Sequence, residues 1–220
     1  MFIPADPKHP LFTLVESEYT SKAGPFGPGQ NKAQLVIDDD ISKNRSSTVV
    51  WYDGGTDPVL SSLNDGQIYI RGHGMAGSPE LEMARGGEQV HYAEVVQRLV
   101  TSGLKREFRG QIKCFNCHSA ESGPHGNAVD GHDPFGQNVA DELYKRGYKL
   151  CTVYGYTDAI DSYPTAAVKN AAEPGEVLHK YRRAGMAATD NLGRAKSGRV
   201  EFAPRVPPLT LKQRLAQKFF

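Results

Sequence analysis

The sequence predicts an α/β domain built on a mostly parallel β-sheet with helices on both faces. Three observations carry that expectation. Short runs rich in β-branched and aromatic residues ("STVVWYD", "QIYI", "QIKCF", "KLCTVYGY") alternate with segments of helical period ("QVHYAEVVQRLVTSGL", "QNVADELYKRG"), and that alternation is the mark of crossover units that leave neighbouring strands parallel. Two of the runs, "QIYIRGHGMAG" and "QIKCFNCHSA", stop abruptly at a reactive side chain, as strands do where such a sheet gathers its functional residues at the carboxyl edge. The chain has 220 residues, 39% of them hydrophobic, enough to bury the core of one large domain.

Taken in order, residues 1–30 are rich in Pro and Gly ("PADPKHP", "KAGPFGPGQ") and predict a flexible N-terminal arm. The domain proper is expected over 31–205. It opens with "AQLVI" as a strand running into Asp38, Asp39 and Asp40, and "STVVWYD" follows as a second strand closed by the turn "GGTDP". "QIYI" is the third strand. Val90, Ala93, Val96, Leu99 and Val100 then follow helical spacing until Gly103. "QIKCF" is the fourth strand, a Gly-rich loop leads to the helix "QNVADELYKRG", and "KLCTVYGY" is the next strand. Beyond Ala159, "AAVKNAA" and "EVLHKYRRAGM" read as helical and "GRVEFA" as a strand. Residues 206–220, after "PRVPP", read as an amphipathic C-terminal helix.

Composition narrows the class of protein. The N-terminus lacks the basic start and apolar run of a classical signal peptide, and no stretch approaches the roughly 18 apolar residues of a membrane span. Three cysteines do not make a disulfide framework. The formal net charge of +1 gives no expectation of nucleic acid, but it hides an asymmetry: residues 161–220 hold 11 Lys and Arg against 5 Asp and Glu. That end could meet a small anion.

If "QIYI" and "QIKCF" are parallel neighbours, His73 and Cys117 leave the sheet at the same edge and can face each other. A thiol attacks carbonyls as thiolate, so it needs a base or a lowered pKa at neutral pH, and imidazole is the natural partner. The N–H of Gly74, with that of Cys117, would hold the oxyanion of a tetrahedral intermediate. Singly, each residue has a bland reading: His73 as a strand cap, Cys117 as buried filler. Their order, spacing and flanking elements favour a dyad.

An apolar strand ending in His-Gly, a helix, and an apolar strand ending in Cys 44 residues later resembles the caspase-like cysteine peptidases. The self-processing cysteine protease domains of bacterial toxins look closest, "LVIDDDIS" being similar to their first strand. The resemblance implies a caspase-like sheet and a cysteine endopeptidase acting on polypeptides through a thioester, with no cofactor required for the chemistry. His73 would be the base, Cys117 the nucleophile, and Asp39 or Asp40 the carboxylate that orients the histidine. Asp158 and Asp161, after "KLCTVYGY", fall where such enzymes build the pocket for the residue before the scissile bond; two acids there would suit a basic residue, whereas the resemblance to the toxin branch implies leucine. The resemblance further implies inositol hexakisphosphate as an activator, held by Lys180, Arg182 and Arg183 or by Arg194, Lys196 and Arg199. The implied setting is a bacterial protein that stays in the cytoplasm or is delivered by a dedicated system into host cytosol. Phe115, Asn116 and Cys114 depart from the small or apolar residues that usually precede the nucleophile.

Rival readings use the same residues. Cys114-x-x-Cys117-His118 spells a haem-attachment motif, but residues three apart on a strand point to opposite faces. Cys114, Cys117, His118, His125 and His132 could make a zinc-binding interaction module, although His125 and His132 are separated by six residues, outside the usual zinc spacing. A caspase-like scaffold that no longer cleaves is the remaining alternative.

Overall fold

A computed structural model describes the chain except residues 21–22, 25–26, 29–31, 125–131, 169–171, 186, 188 and 206–220. The chain enters the middle of a sheet at once, as β1 (Phe2–Ile3), and turns into α1 (Phe12–Thr20). A small hairpin, β2 (Ala23–Gly24) and β3 (Gly27–Pro28), precedes α2 (Lys32–Ser42) and β4 (Val50–Trp51). Next come α3 (Pro58–Ser62), β5 (Gln67–Arg71), the hairpin of β6 (Glu80–Glu82) and β7 (Gln89–His91), α4 (Tyr92–Thr101) and β8 (Gln111–Phe115). The described chain is completed by α5 (Phe135–Lys145), β9 (Thr152–Tyr156), β10 (Ala159–Ile160), β11 (Tyr181–Arg183), β12 (Asn191–Arg194) and β13 (Arg199–Phe202).

Six of these strands form the central sheet, in the order β13-β9-β8-β5-β1-β4. Every neighbouring pair is parallel except β13 with β9. The chain steps from β1 outward to β4, then returns to the other side of β1 with β5. The crevice where the direction reverses, between β1 and β5 at the carboxyl edge, is where α/β sheets of this kind bind ligands.

Alternation along the strands gives the sheet two different faces. Ile68, Ile70, Ile112, Cys114 and Val153 enter the main core, where Val95, Val96 and Leu99 of α4 and Val139 and Leu143 of α5 cover them. Phe115 and Tyr156 belong to a second, smaller cluster with Ile160 and Ala195, against which Tyr69 packs. Lys113, between them, is 4% exposed and donates to Gln67 Oε1 at 2.6 Å and Tyr69 Oη at 3.1 Å. Its ammonium lies 4.8 Å from the centre of the Tyr69 ring.

The α/β class and the mostly parallel sheet agree with the sequence expectation, as do β5, β8, β9, β13, α4 and α5. Four elements differ. Residues 1–20 are not an arm: Phe2 and Ile3 are completely buried, and Phe12 and Tyr19 of α1 pack edge-on against Trp51 with ring centres 6.0 and 5.9 Å apart. The "AQLVI" segment is helical, because Phe2–Ile3 already occupies the strand position. Ala33 and Val36, three apart, are the buried residues of α2, and i,i+4 pairs Gln34–Asp38 and Lys43–Asp39 line its polar side.

"EVLHKYRRAGM" supplies β11 instead of a helix. Asp161 overrides local propensity there by accepting from the Tyr181 N–H at 3.1 Å and pairing with Arg183 at 2.9 Å. Ala166–Val168 of "AAVKNAA" are likewise not helical: the Ala167 carbonyl accepts from Arg183 and Asn191. The C-terminal helix expected over 206–220 lies outside the described residues, as does His125. No helix among the described residues is long and apolar enough to cross a membrane.

Candidate active site

The parallel register of β5 and β8 pairs Gln67 with Gln111 and, strand-long, Arg71 with Phe115. The offset is 44 residues throughout, and 44 is also the separation of His73 from Cys117. The two residues therefore emerge side by side, each two positions past the end of its strand, next to the crevice between β1 and β5. Both line one cleft, together with Glu18, Tyr19, Arg71, Asn116, Ile160 and Ser162.

Local structure holds the two loops in place. Beyond His73 the chain pairs back on β6, with the His73 N–H donating to the Glu82 carbonyl at 2.7 Å and the Glu82 N–H returning to the His73 carbonyl at 3.0 Å. Gly74 presses on the opposite loop so closely that a Cβ there would sit 2.3 Å from Asn116 Nδ2 and 2.5 Å from the Cys117 carbonyl oxygen. Beyond Cys117, His118 is left-handed, with φ 58°, a conformation rare in non-glycine residues that turns the strand sharply away. Completely buried Ser119 locks that turn, donating to the Cys114 carbonyl at 2.7 Å and accepting from the Tyr156 N–H at 2.9 Å.

The histidine is oriented by a carboxylate that sequence reading missed. His73 Nε2 lies 2.7 Å from Glu18 Oε1 on α1, and Glu18 Oε2 accepts from the Arg85 N–H at 3.3 Å. With Nε2–H donated to Glu18, the neutral ring keeps the Nδ1 lone pair for a proton. Asp39 does not orient His73: it lies on α2 and pairs with Lys43 at 2.6 Å. Asp40, its alternative, is 4.0 Å from Arg45. A sequence signal for Glu18 exists, since Phe12, Val15 and Tyr19 follow helical spacing, but the prolines around them masked it.

The Cys117 thiol is seated on backbone. Sγ accepts from the Ile160 N–H at 3.4 Å and faces the Ile160 carbonyl at 3.9 Å. Burial pushes its pKa up, only partly opposed by Ile160 and by Arg71. The thiol is thus protonated at rest, and chemistry at neutral pH needs a base to take the proton. No hydrogen bond joins His73 to Cys117 in this resting geometry, and such contacts commonly tighten only when substrate arrives.

The other candidates are placed elsewhere in function. Asp158 and Asp161 follow β9 as expected, but Arg182 pairs with Asp158 at 2.9 Å and Arg183 with Asp161, the latter pair 5% and 4% exposed by side chain. Neither acid is open to a basic substrate residue. The same pairs consume two of the three cations expected at an anion site, while the Lys180 ammonium rests 5.0 Å from the Phe115 ring centre. Burial and Arg71 lower the Lys180 pKa to about 8. Of the alternative set, Arg199 stacks on Tyr154 at 4.5 Å. Arg199, Arg45 and Lys196, behind the larger effect of burial, help hold Lys113 down to about 8, which marks a shared positive field on that face.

The zinc and haem readings lose their geometry because Cys114 is completely buried in the main core while Cys117 packs against the second cluster. Among the described residues no group of three His, Cys, Asp or Glu side chains is arranged to hold a metal.

No family model, curated protein or solved structure matches the chain.

Proposed function

We propose that this protein is a cysteine endopeptidase of caspase-like type, with Cys117 as nucleophile, His73 as general base and Glu18 as the residue that positions the imidazole. The observation that carries the reading is the common 44-residue register, which sets His73 and Cys117 abreast at the carboxyl edge of adjacent parallel strands with a carboxylate 2.7 Å behind the histidine. His73 takes the thiol proton, the thiolate attacks a peptide carbonyl, and the N–H groups of Gly74 and Cys117 stabilise the oxyanion. The protonated imidazole passes its proton to the leaving amine, and water activated by His73 releases the acyl group from sulfur.

The test is intact-mass spectrometry after incubation with acyloxymethyl ketone probes, comparing wild type with Cys117→Ala and His73→Ala. One adduct, absent in Cys117→Ala and formed about 10²- to 10⁴-fold more slowly in His73→Ala, is expected. Labelling that survives in Cys117→Ala would overturn the assignment.

Two further proposals follow from the resemblance. The setting is a bacterial effector or toxin acting inside host cells. Inositol hexakisphosphate, as activator, is better matched by Arg194, Lys196 and Arg199 than by Lys180, Arg182 and Arg183, because Arg182 and Arg183 are already committed to carboxylates. Thermal unfolding with and without the ligand checks this: a raised midpoint that Lys196→Ala diminishes is expected, and an unchanged one removes the proposal.

A further inference from the structure

We infer that Glu121 is a positioning residue for the nucleophile: its carboxylate clamps two left-handed corners, at His118 and Asp158, that hold Cys117 Sγ against the Ile160 N–H. The inference rests on the peptidase reading and adds to that site a residue that acts through its neighbours.

Among the described residues, Asn44, His118 and Asp158 are the non-glycine residues with a left-handed φ, at 54°, 58° and 62°. A residue with a side chain keeps that conformation where its surroundings hold it there. Two of the three meet at this site, the His118 N–H donating to the Asp158 carbonyl at 2.9 Å. Cys117 immediately precedes one corner and Ile160 follows the other by two residues. The contact between the corners therefore sets how the thiol meets the Ile160 N–H, which donates to Sγ at 3.4 Å.

Glu121 bridges both corners. Its Oε2 lies 2.9 Å from His118 Nδ1, and its Oε1 accepts from the Asp158 N–H. The main chain of the same residue completes the clamp: the Glu121 N–H donates to the His118 carbonyl at 3.0 Å, and the Glu121 carbonyl accepts at 2.9 Å from the Gly77 N–H, on the loop that carries His73. Base loop, nucleophile loop and the turn after β9 thus converge on one residue. A carboxylate suits the place because it offers two acceptors to two donors, a backbone N–H and an imidazole N–H. The other charged groups at these corners, Asp158 and Arg182, are paired with each other at 2.9 Å. The Glu121 side chain is 31% exposed, so the hydrophobic core does not depend on it.

The experiment measures the rate of Cys117 modification by the acyloxymethyl ketone that labels wild type fastest, on wild type, Glu121→Ala and Glu121→Gln, at about pH 5.5 and about pH 8, either side of the ordinary imidazole range. Glu121→Ala should slow labelling at least about 10-fold at both, since the thiol is no longer held in place. Glu121→Gln keeps the acceptor for the Asp158 N–H, and its amide N–H donates to Nδ1 of a neutral His118 but opposes the N–H of a protonated one. It should therefore recover most of the wild-type rate at about pH 8 and fall towards Glu121→Ala at about pH 5.5. Each rate is taken relative to wild type at the same pH, so the titration of His73 and Cys117 cancels. A side chain that merely supports the fold gives no such crossover, and the Glu121→Gln ratio decides the matter even where Glu121→Ala fails to unfold cooperatively. A wild-type rate in Glu121→Ala, or a Glu121→Gln deficit that is equal at both pH values, overturns the positioning role and leaves the dyad standing. No labelling of wild-type Cys117 by any probe overturns both.

Discussion

At the scale of single residues, half-buried Glu18 and buried Arg98 show what a charge withdrawn from water does when it has a partner. Glu18 holds His73 in one tautomer, so Glu18→Gln keeps the shape but weakens the acceptor. Labelling of Cys117 should slow by about 10-fold, a fraction of the 10²- to 10⁴-fold effect of losing the base itself, and Glu18→Asp should recover less than the wild-type rate because the shorter arm moves the carboxylate off Nε2. A Glu18→Gln protein that labels at the wild-type rate would remove Glu18 from the site. Arg98 is clamped by Glu88 at 2.6 Å and Glu94 at 2.5 Å, and its guanidinium also donates to the Pro4 carbonyl. Arg98→Met leaves Glu88 buried with only the Asp6 N–H, so urea denaturation should show a loss of about 3 to 5 kcal/mol. A loss under 1 kcal/mol would mean that water reaches Glu88.

At the scale of elements, β1 and α1 carry both stability and site. Phe2 and Ile3 lie between β5 and β4 in the sheet, and α1 brings Glu18 and Tyr19 to the cleft. Phe2→Ala should cost about 3 to 5 kcal/mol, and a truncation that begins at residue 21 should lose cooperative thermal unfolding altogether, because it opens the sheet between β5 and β4. A truncated protein that melts cooperatively near the wild-type temperature would show that the N-terminal segment is dispensable after all. The loop pair at the site is equally constrained: Gly74→Ala should abolish Cys117 labelling, since its Cβ must displace both Asn116 and the Cys117 carbonyl.

At the scale of the whole molecule, buried cations and thiols set opposite pH dependences. Lys113 and Lys180 have folded pKa values lowered to about 8, below the roughly 10.4 of an unfolded lysine. Between those values the unfolded chain binds protons that the folded one has shed, so stability rises with pH. Cys114 and Cys151 are pushed up by burial, Cys151 to about 11. Above the ordinary thiol range the folded state therefore holds protons that the unfolded state releases, and stability falls. Urea midpoints should climb from pH 8 to about 9 and turn over beyond it, and Lys113→Met should flatten the climb. A steady fall from pH 8 in the wild type would contradict this balance.

Local sequence determined the strands β5 and β8, the helices α4 and α5, and the positions of His73 and Cys117, because each depends on near-neighbour periodicity and on where an apolar run ends. The 44-residue spacing even held the register in advance, since in-register parallel strands of equal length put equivalent positions abreast. Tertiary structure alone decided which acid reaches His73, and it decided that "AQLVI" is a helix, because both follow from Phe2–Ile3 occupying the strand between β5 and β4. It also decided that Asp158 and Asp161 are neutralised. Charge pairing across segments far apart in the chain leaves no local pattern to read, and it is there that the character of the cleft is settled.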